Sequence, residues 1–99
     1  MKYQLTQIKA DGSAHRWVQN IKPSLKQMQE AVGGLIERAP ECYETQFGIK
    51  LITNPNAKLD AIWCNEEALL ASNPVPNLFF EPAPWGDRLY GDVLVVEEI

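Results

Sequence analysis

The sequence predicts an α+β protein: a mostly antiparallel sheet of about five strands packed against one main helix at about residues 24–33. Three observations predict it. Short segments of strand character recur, the first two split by Asp11-Gly12. A capped amphipathic stretch runs from Ser24 to Gly34. The closing run Val93-Leu94-Val95-Val96 is apolar on both faces, which suits a strand in the middle of a sheet.

The chain begins as a hairpin. Tyr3, Leu5 and Gln7 alternate with Gln4, Thr6 and Ile8, Asp11-Gly12 supplies the turn, and His15-Arg16-Trp17-Val18 returns along the first strand. The helix follows. Ser24 with Gln27 forms a capping box, and Pro23 is compatible with a helix entry. Leu25, Met28 and Val32, with Ala31 beside them, draw one apolar stripe. Gly33-Gly34 stops the helix, because a residue without Cβ takes the left-handed conformation at no steric cost.

Residues 35–39 read as a strand, with Pro40 favouring an edge or a bulge there. Phe47, Ile49 and Leu51 share one face of a strand over 47–52, Asn54-Pro55-Asn56 is a turn, and Leu59, Ala61 and Trp63 lie on one side of a strand over 59–64. The pair makes a second hairpin. Residues 65–71 suit a short second helix, with Asn65 as cap and Glu66 and Glu67 at the positive end of its dipole. Residues 72–88 are an irregular loop with Pro74, Pro76, Pro82 and Pro84, and its aromatics Phe79, Phe80 and Trp85 are its anchors. One face of such a sheet calls for cover, which a homodimer would supply.

Ninety-nine residues fit a single domain, 1–99. The net charge of -4 is unevenly spread. Residues 1–50 carry seven Lys/Arg against five Asp/Glu, and residues 51–99 carry two against eight. The acidic half suits a basic partner or a solvated surface, and no basic cluster follows a phosphate backbone, so direct nucleic-acid binding is not expected. The N-terminus lacks the apolar stretch of a signal peptide, and no run reaches the roughly 20 apolar residues of a membrane span, so a cytoplasmic protein is expected.

Catalysis has little to work with. Cys42 and Cys64 form no CxxC, and the single histidine, His15, is too little for an ordinary Cys/His zinc site. Glu66 and Glu67 are neighbours, so on a helix they diverge by about 100° and do not converge on one ion. Only the fold could gather Glu37, Glu66, Asp87 and Asp92. Gly33-Gly34 belongs to no phosphate-cradling loop. The expectation is a protein without catalytic residues, metal or cofactor.

The run Val32-Gly33-Gly34-Leu35-Ile36-Glu37, then Cys64-Asn65-Glu66-Glu67 with Leu69, then Asn77, then Gly91-Asp92-Val93-Leu94-Val95-Val96, resembles the pattern of domain of unknown function 3846 over about residues 1–97. That family occurs in phages, plasmids and bacteria. The resemblance implies a mobile-element setting and no known reaction. The chain departs from the pattern in its longer Pro74–Trp85 segment and in its own N-terminal hairpin.

Two functional readings follow. The first is a non-enzymatic accessory protein that binds a protein partner, with countering of host defence as one use. Its contact residues are Phe79, Phe80, Trp85 and Asp87. The second is a small-ligand or nucleotide-signal binder in which the amides of Asn65 and Asn77 read the ligand.

Overall fold

In the structure, a computed structural model, residues 2–50 and 57–99 are described. They form five strands, β1 (Tyr3–Ile8), β2 (Ala14–Gln19), β3 (Ile36–Arg38), β4 (Lys58–Asn65) and β5 (Val93–Glu98), with helices α1 (Leu25–Val32) and α2 (Glu41–Lys50). The strands make one antiparallel sheet in the order β2-β1-β5-β4-β3. β5 therefore lies at the centre, paired with β1 on one side and β4 on the other, which explains why its apolar run has no polar face.

The two ends of α1 follow from its sequence. The Ser24 hydroxyl accepts from the Gln27 N–H at 3.1 Å. Gly33 closes the helix at φ 82°, and its N–H bonds Gln29 O at 2.8 Å. The other half of the expected box is absent. The Gln27 side chain pairs reciprocally with that of Gln19 on β2, at 2.7 and 3.1 Å, and so fastens the helix to the hairpin. The stripe also shifts: Val32 is buried and Met28 and Ala31 are packed, but Leu25 is exposed. Gly34 has a separate reason. A Cβ there would stand 2.9 Å from Asn65 Nδ2, so any larger residue would displace the Asn65 amide that meets the helix terminus.

The expected strand over 47–52 is overturned. Residues 47–50 belong to α2, and 51–52 and the 54–56 turn lie outside the described residues. The apolar pair that decides it is Tyr43 and Phe47, spaced i,i+4 and both buried. Glu41 and Glu44 in the first turn favour the positive end of the dipole. The second hairpin is thus β3–β4 with α2 in its connection. The expected helix over 65–71 is reduced to a 3-10 turn, Ala68–Leu70. Asn65 ends β4 instead of capping a helix: its Oδ1 accepts from the Glu67 N–H at 2.8 Å, an Asx turn that bends the chain away.

The sheet has cover on both faces. Leu5, Leu94 and Val96 meet α1 through Val32, with Trp17 and Trp63 partly buried beside them. Ile8, Ile62, Cys64, Val93 and Val95 meet Tyr43 and Phe47 of α2 together with Phe80, Ala83 and Leu89 of the proline-rich segment. The bare face that invited a second copy is covered from within the chain. Burial of one such apolar side chain is worth about 1.5–3 kcal/mol, so Tyr43, Phe47 and Phe80 are principal supports of this half.

Candidate protein-interaction groove

The irregular segment is a held structure. Asn77 fixes its start. The side chain is fully buried, its Nδ2 donates to Ile8 O at 3.1 Å and Gly91 O at 2.9 Å, and its Oδ1 accepts from the Phe79 N–H at 3.0 Å. One residue thereby joins the end of β1, the approach to β5 and the loop. α2 fixes the middle: Gln46 donates to Glu81 O at 3.1 Å and accepts from the Glu81 N–H at 2.7 Å. The Tyr43 hydroxyl donates to Asp87 O at 2.9 Å. Phe79 and Phe80 meet edge to face at 4.8 Å, and Phe80 meets Tyr43 likewise at 5.6 Å.

The tip is a tight turn, with Gly86 N–H bonded to Ala83 O at 2.8 Å and Ala83 N–H to Asp87 O at 2.7 Å. It presents Trp85 to solvent at 60% exposure. The indole Nε1–H donates to Asp87 Oδ2 at 2.8 Å, which favours this orientation of the ring. Behind it lies a groove of about 320 Å³, walled by Glu37, Tyr43, Cys64, Leu69, Trp85, Arg88 and Tyr90 among others. A smaller hollow of about 130 Å³ shares Glu37, Cys64, Leu69 and Arg88 and adds Asn65 and Glu66.

The rim is apolar. Leu69 and Leu70 of the 3-10 turn stand 59% and 81% exposed. Leu35 precedes β3, and its carbonyl accepts from the Glu66 N–H. Val75 and Leu78 are tied to Gly91 and Ala10 by backbone bonds of 2.8 Å. All these belong to the end of the sheet where β1 and β4 finish and β3 and β5 begin. A shallower depression of about 530 Å³, lined by Val75, Pro76 and Leu78 together with Lys9, Asp11 and Asp92, lies at the same end.

The sequence-predicted site residues separate under this geometry. Trp85 and Asp87 are together at the exposed tip. Phe79 is half-buried against the core, and Phe80 is buried, which removes it as a surface contact. Asn77 has no access to a ligand, since burial encloses it and both amide donors are used on backbone. Asn65 is committed to Val32 O at 3.3 Å and to the Glu67 N–H, and Asn77 does not line the hollow that Asn65 does. The pair reads as two ties of the backbone. Arg88 and Leu69 are members of the groove that sequence reasoning missed.

Glu37, Cys64, Glu66 and Asp87 wall the groove and its hollow, whereas His15 and Asp92 do not. Burial, and then the Glu37 carboxylate, push the Cys64 thiol up to about 12, so it stays protonated and is a poor nucleophile. Its Sγ lies 3.5 Å from Glu37 O and 3.9 Å from Glu37 Oε1. His15 sits on β2, three strand spacings away, roughly 14 Å, and stacks against Trp17 with ring centroids 5.3 Å apart. Asp92 accepts from the Ala10 N–H at 3.0 Å. Among the described residues no three His, Cys, Asp or Glu are placed to hold a metal ion, and no helix is long and apolar enough to cross a membrane.

No family model, curated protein or solved structure matches this chain.

Proposed function

We propose that this chain is a non-enzymatic accessory protein that binds a protein partner through the apolar end of the sheet, with Trp85, Leu69 and Leu70 as its contacts. One observation carries the reading. Of nine exposed large apolar side chains among the described residues, Leu69 and Trp85 line the groove and Val75 and Leu78 the neighbouring depression, with Leu35 and Leu70 on adjoining positions of the chain. Scattered exposure of single apolar residues is ordinary, but clustering around a groove marks a surface made to be covered. The contacts are also preorganised. Asp87 orients the indole and Gln46, Tyr43 and Asn77 hold the segment, which lowers the conformational entropy lost on binding.

The protonated, buried Cys64 and the distant His15 support binding over nucleophilic catalysis. The committed amides of Asn65 and Asn77 weigh against the small-ligand reading. A role in a phage or mobile element, with antagonism of host defence as one use, comes from the resemblance to domain of unknown function 3846 and adds a setting in which to look for the partner.

The test is affinity capture from bacterial cells with three chains: the unaltered protein, the Leu70→Ser/Trp85→Ala pair and Ile21→Ser. Ile21 is 78% exposed and lies with the groove that Gln19 and Gln27 line, away from the apolar end. The paired substitution is expected to lose a protein that the other two chains retain. Equal recovery by all three would refute the proposal.

A further inference from the structure

The sheet has two edges, β2 and β3, and they are finished differently. β3 is three residues long, carries Glu37 and Arg38 and runs into Ala39-Pro40, so it offers little to a further strand. β2 is six residues long, with no proline, no lysine and no bulge against β1. Natural sheets blunt an edge with such devices, because a row of unpaired N–H and C=O groups is a template for pairing. The one cation of β2 does not guard it: Arg16 Nε donates to Thr6 Oγ1 on β1 at 3.0 Å, which draws the guanidinium inward over the sheet.

The ladder fixes which groups of β2 are free. Lys9 N–H bonds Ser13 O at 2.8 Å, and Lys2 and Ile99 exchange both backbone bonds, at 3.3 and 2.9 Å. Ladder bonds alternate along an antiparallel strand, so the odd residues of β1 bond β2 and its even residues bond β5. The same alternation spends His15, Trp17 and Gln19 on β1 and turns the N–H and C=O of Ala14, Arg16 and Val18 outward. All three outward residues are exposed.

We propose that β2 is a dimerisation edge: it pairs antiparallel with β2 of a second copy about a two-fold axis at Trp17, joining two five-stranded sheets into one. This edge is separate from the apolar end and stands independently of the partner-surface reading. Outward residues must face outward residues, which leaves few two-fold registers. An axis at His15 or Val18 shortens the strand overlap to residues 14–16 or 17–19. An axis at Arg16 sets the two Arg16 residues directly opposite, like charge against like. An axis at Trp17 sets Arg16 against Val18, each pair exchanging two ladder bonds, and brings the two Trp17 residues together at a non-hydrogen-bonded position, where side chains come closest. Trp17 is partly buried on the α1 side, and its Nε1–H already donates to Gln19 Oε1 at 3.1 Å, so covering the ring strands no indole donor. A second copy suits this edge because that register opposes no like charges and gives each Trp17 an aromatic mate.

The test is hydrogen exchange of the unaltered chain, read by NMR over a range of concentrations beside sedimentation equilibrium. A monomer–dimer equilibrium is expected, with exchange of the Arg16 and Val18 N–H groups slowing at least about tenfold as the dimer forms. The His15 and Trp17 N–H groups are expected to be protected at every concentration. Arg16→Pro removes an N–H that β1 does not use and is expected to raise the dimer dissociation constant at least about tenfold. In a Cys42→Ser background, Trp17→Cys is expected to give an intermolecular disulfide, because opposed residues at such a position have Cα atoms about 4.5 Å apart, and His15→Cys is not. The amide spectrum of each variant reports its fold. A chain that stays monomeric up to about 1 mM, or a dimer in which Arg16 and Val18 exchange as fast as in the monomer, would overturn the proposal. Equal crosslinking from positions 15 and 17 would overturn it as well.

Discussion

Asn77 offers the sharpest test of how the groove is held. Its three hydrogen bonds, at 3.1, 2.9 and 3.0 Å, all go to backbone groups, and the side chain is sealed from solvent. Each such bond is worth about 1 kcal/mol net, so Asn77→Ala should cost about 3 kcal/mol. That is a large share of the roughly 5–15 kcal/mol that holds a domain together. In urea, with a slope of about 1.5 kcal/mol/M, the midpoint should fall by about 2 M. Asn77→Asp sharpens the test because it is nearly isosteric. It replaces two N–H donors with a carboxylate oxygen facing Ile8 O and Gly91 O, so attraction becomes repulsion. At neutral pH it should be less stable than Asn77→Ala. Burial and the two carbonyls raise the folded-state pKa of the introduced carboxyl. Stability is then present below its unfolded value of about 4 and lost as pH rises through the raised one. Relative to the unaltered chain, this variant should therefore recover on acidification. A loss below about 1 kcal/mol for Asn77→Ala, or an aspartate tolerated as well as alanine, would refute the assignment of Asn77 as a tie.

Other outcomes follow from the same contacts. Gly34→Ala should destabilise by about 1–3 kcal/mol in the same denaturation assay, since the new methyl would stand 2.9 Å from Asn65 Nδ2. Gln46→Ala should speed proteolytic cleavage near Glu81 by releasing both bonds that hold the segment to α2, without a comparable effect elsewhere in the chain. Cys64 should resist alkylation in the native protein at neutral pH, being buried with a raised thiol pKa. The same shift has a sign for stability: the folded state holds the thiol proton more tightly than the unfolded state, so stability should decline as pH rises from about 9 towards about 12. Cys64→Ala should flatten that decline, although Tyr43, raised chiefly by burial, leaves a remainder in the same direction.

What was legible in the sequence was local. Asp11-Gly12 announced the β1–β2 turn, and the structure closes it with Asp11 Oδ1 accepting from the Ser13 N–H at 2.8 Å. Ser24 and Gly33 marked the ends of α1, and the two-faced apolar run of β5 marked the sheet's centre. α2 was not legible because only Tyr43 and Phe47 repeat at helical spacing, Gly48 is a poor helix former, and Phe47, Ile49 and Leu51 mimic the period of a strand. That miss propagated to the site. Without α2 nothing showed that Gln46 and Tyr43 grip the proline-rich segment, or that Phe80 turns inward beneath them. Trp85 and Asp87 were legible because the Pro-Trp-Gly-Asp tip is a local turn. Arg88 was not, because its burial arises where β3, β4 and the segment before β5 meet. Asn77 looked like a polar residue in a loop, and its tie to Ile8 spans 69 positions of sequence.

Site-specific photocrosslinking in bacterial cells tests the central claim most directly. Benzoyl-phenylalanine would replace Leu70, Leu78 or Trp85 in turn, and Ile21 or Lys26 as controls. The account predicts one shared heterologous adduct from the first three positions and none from the controls. An adduct formed equally from Ile21 or Lys26, or only a second copy of this chain captured at position 85, would contradict it.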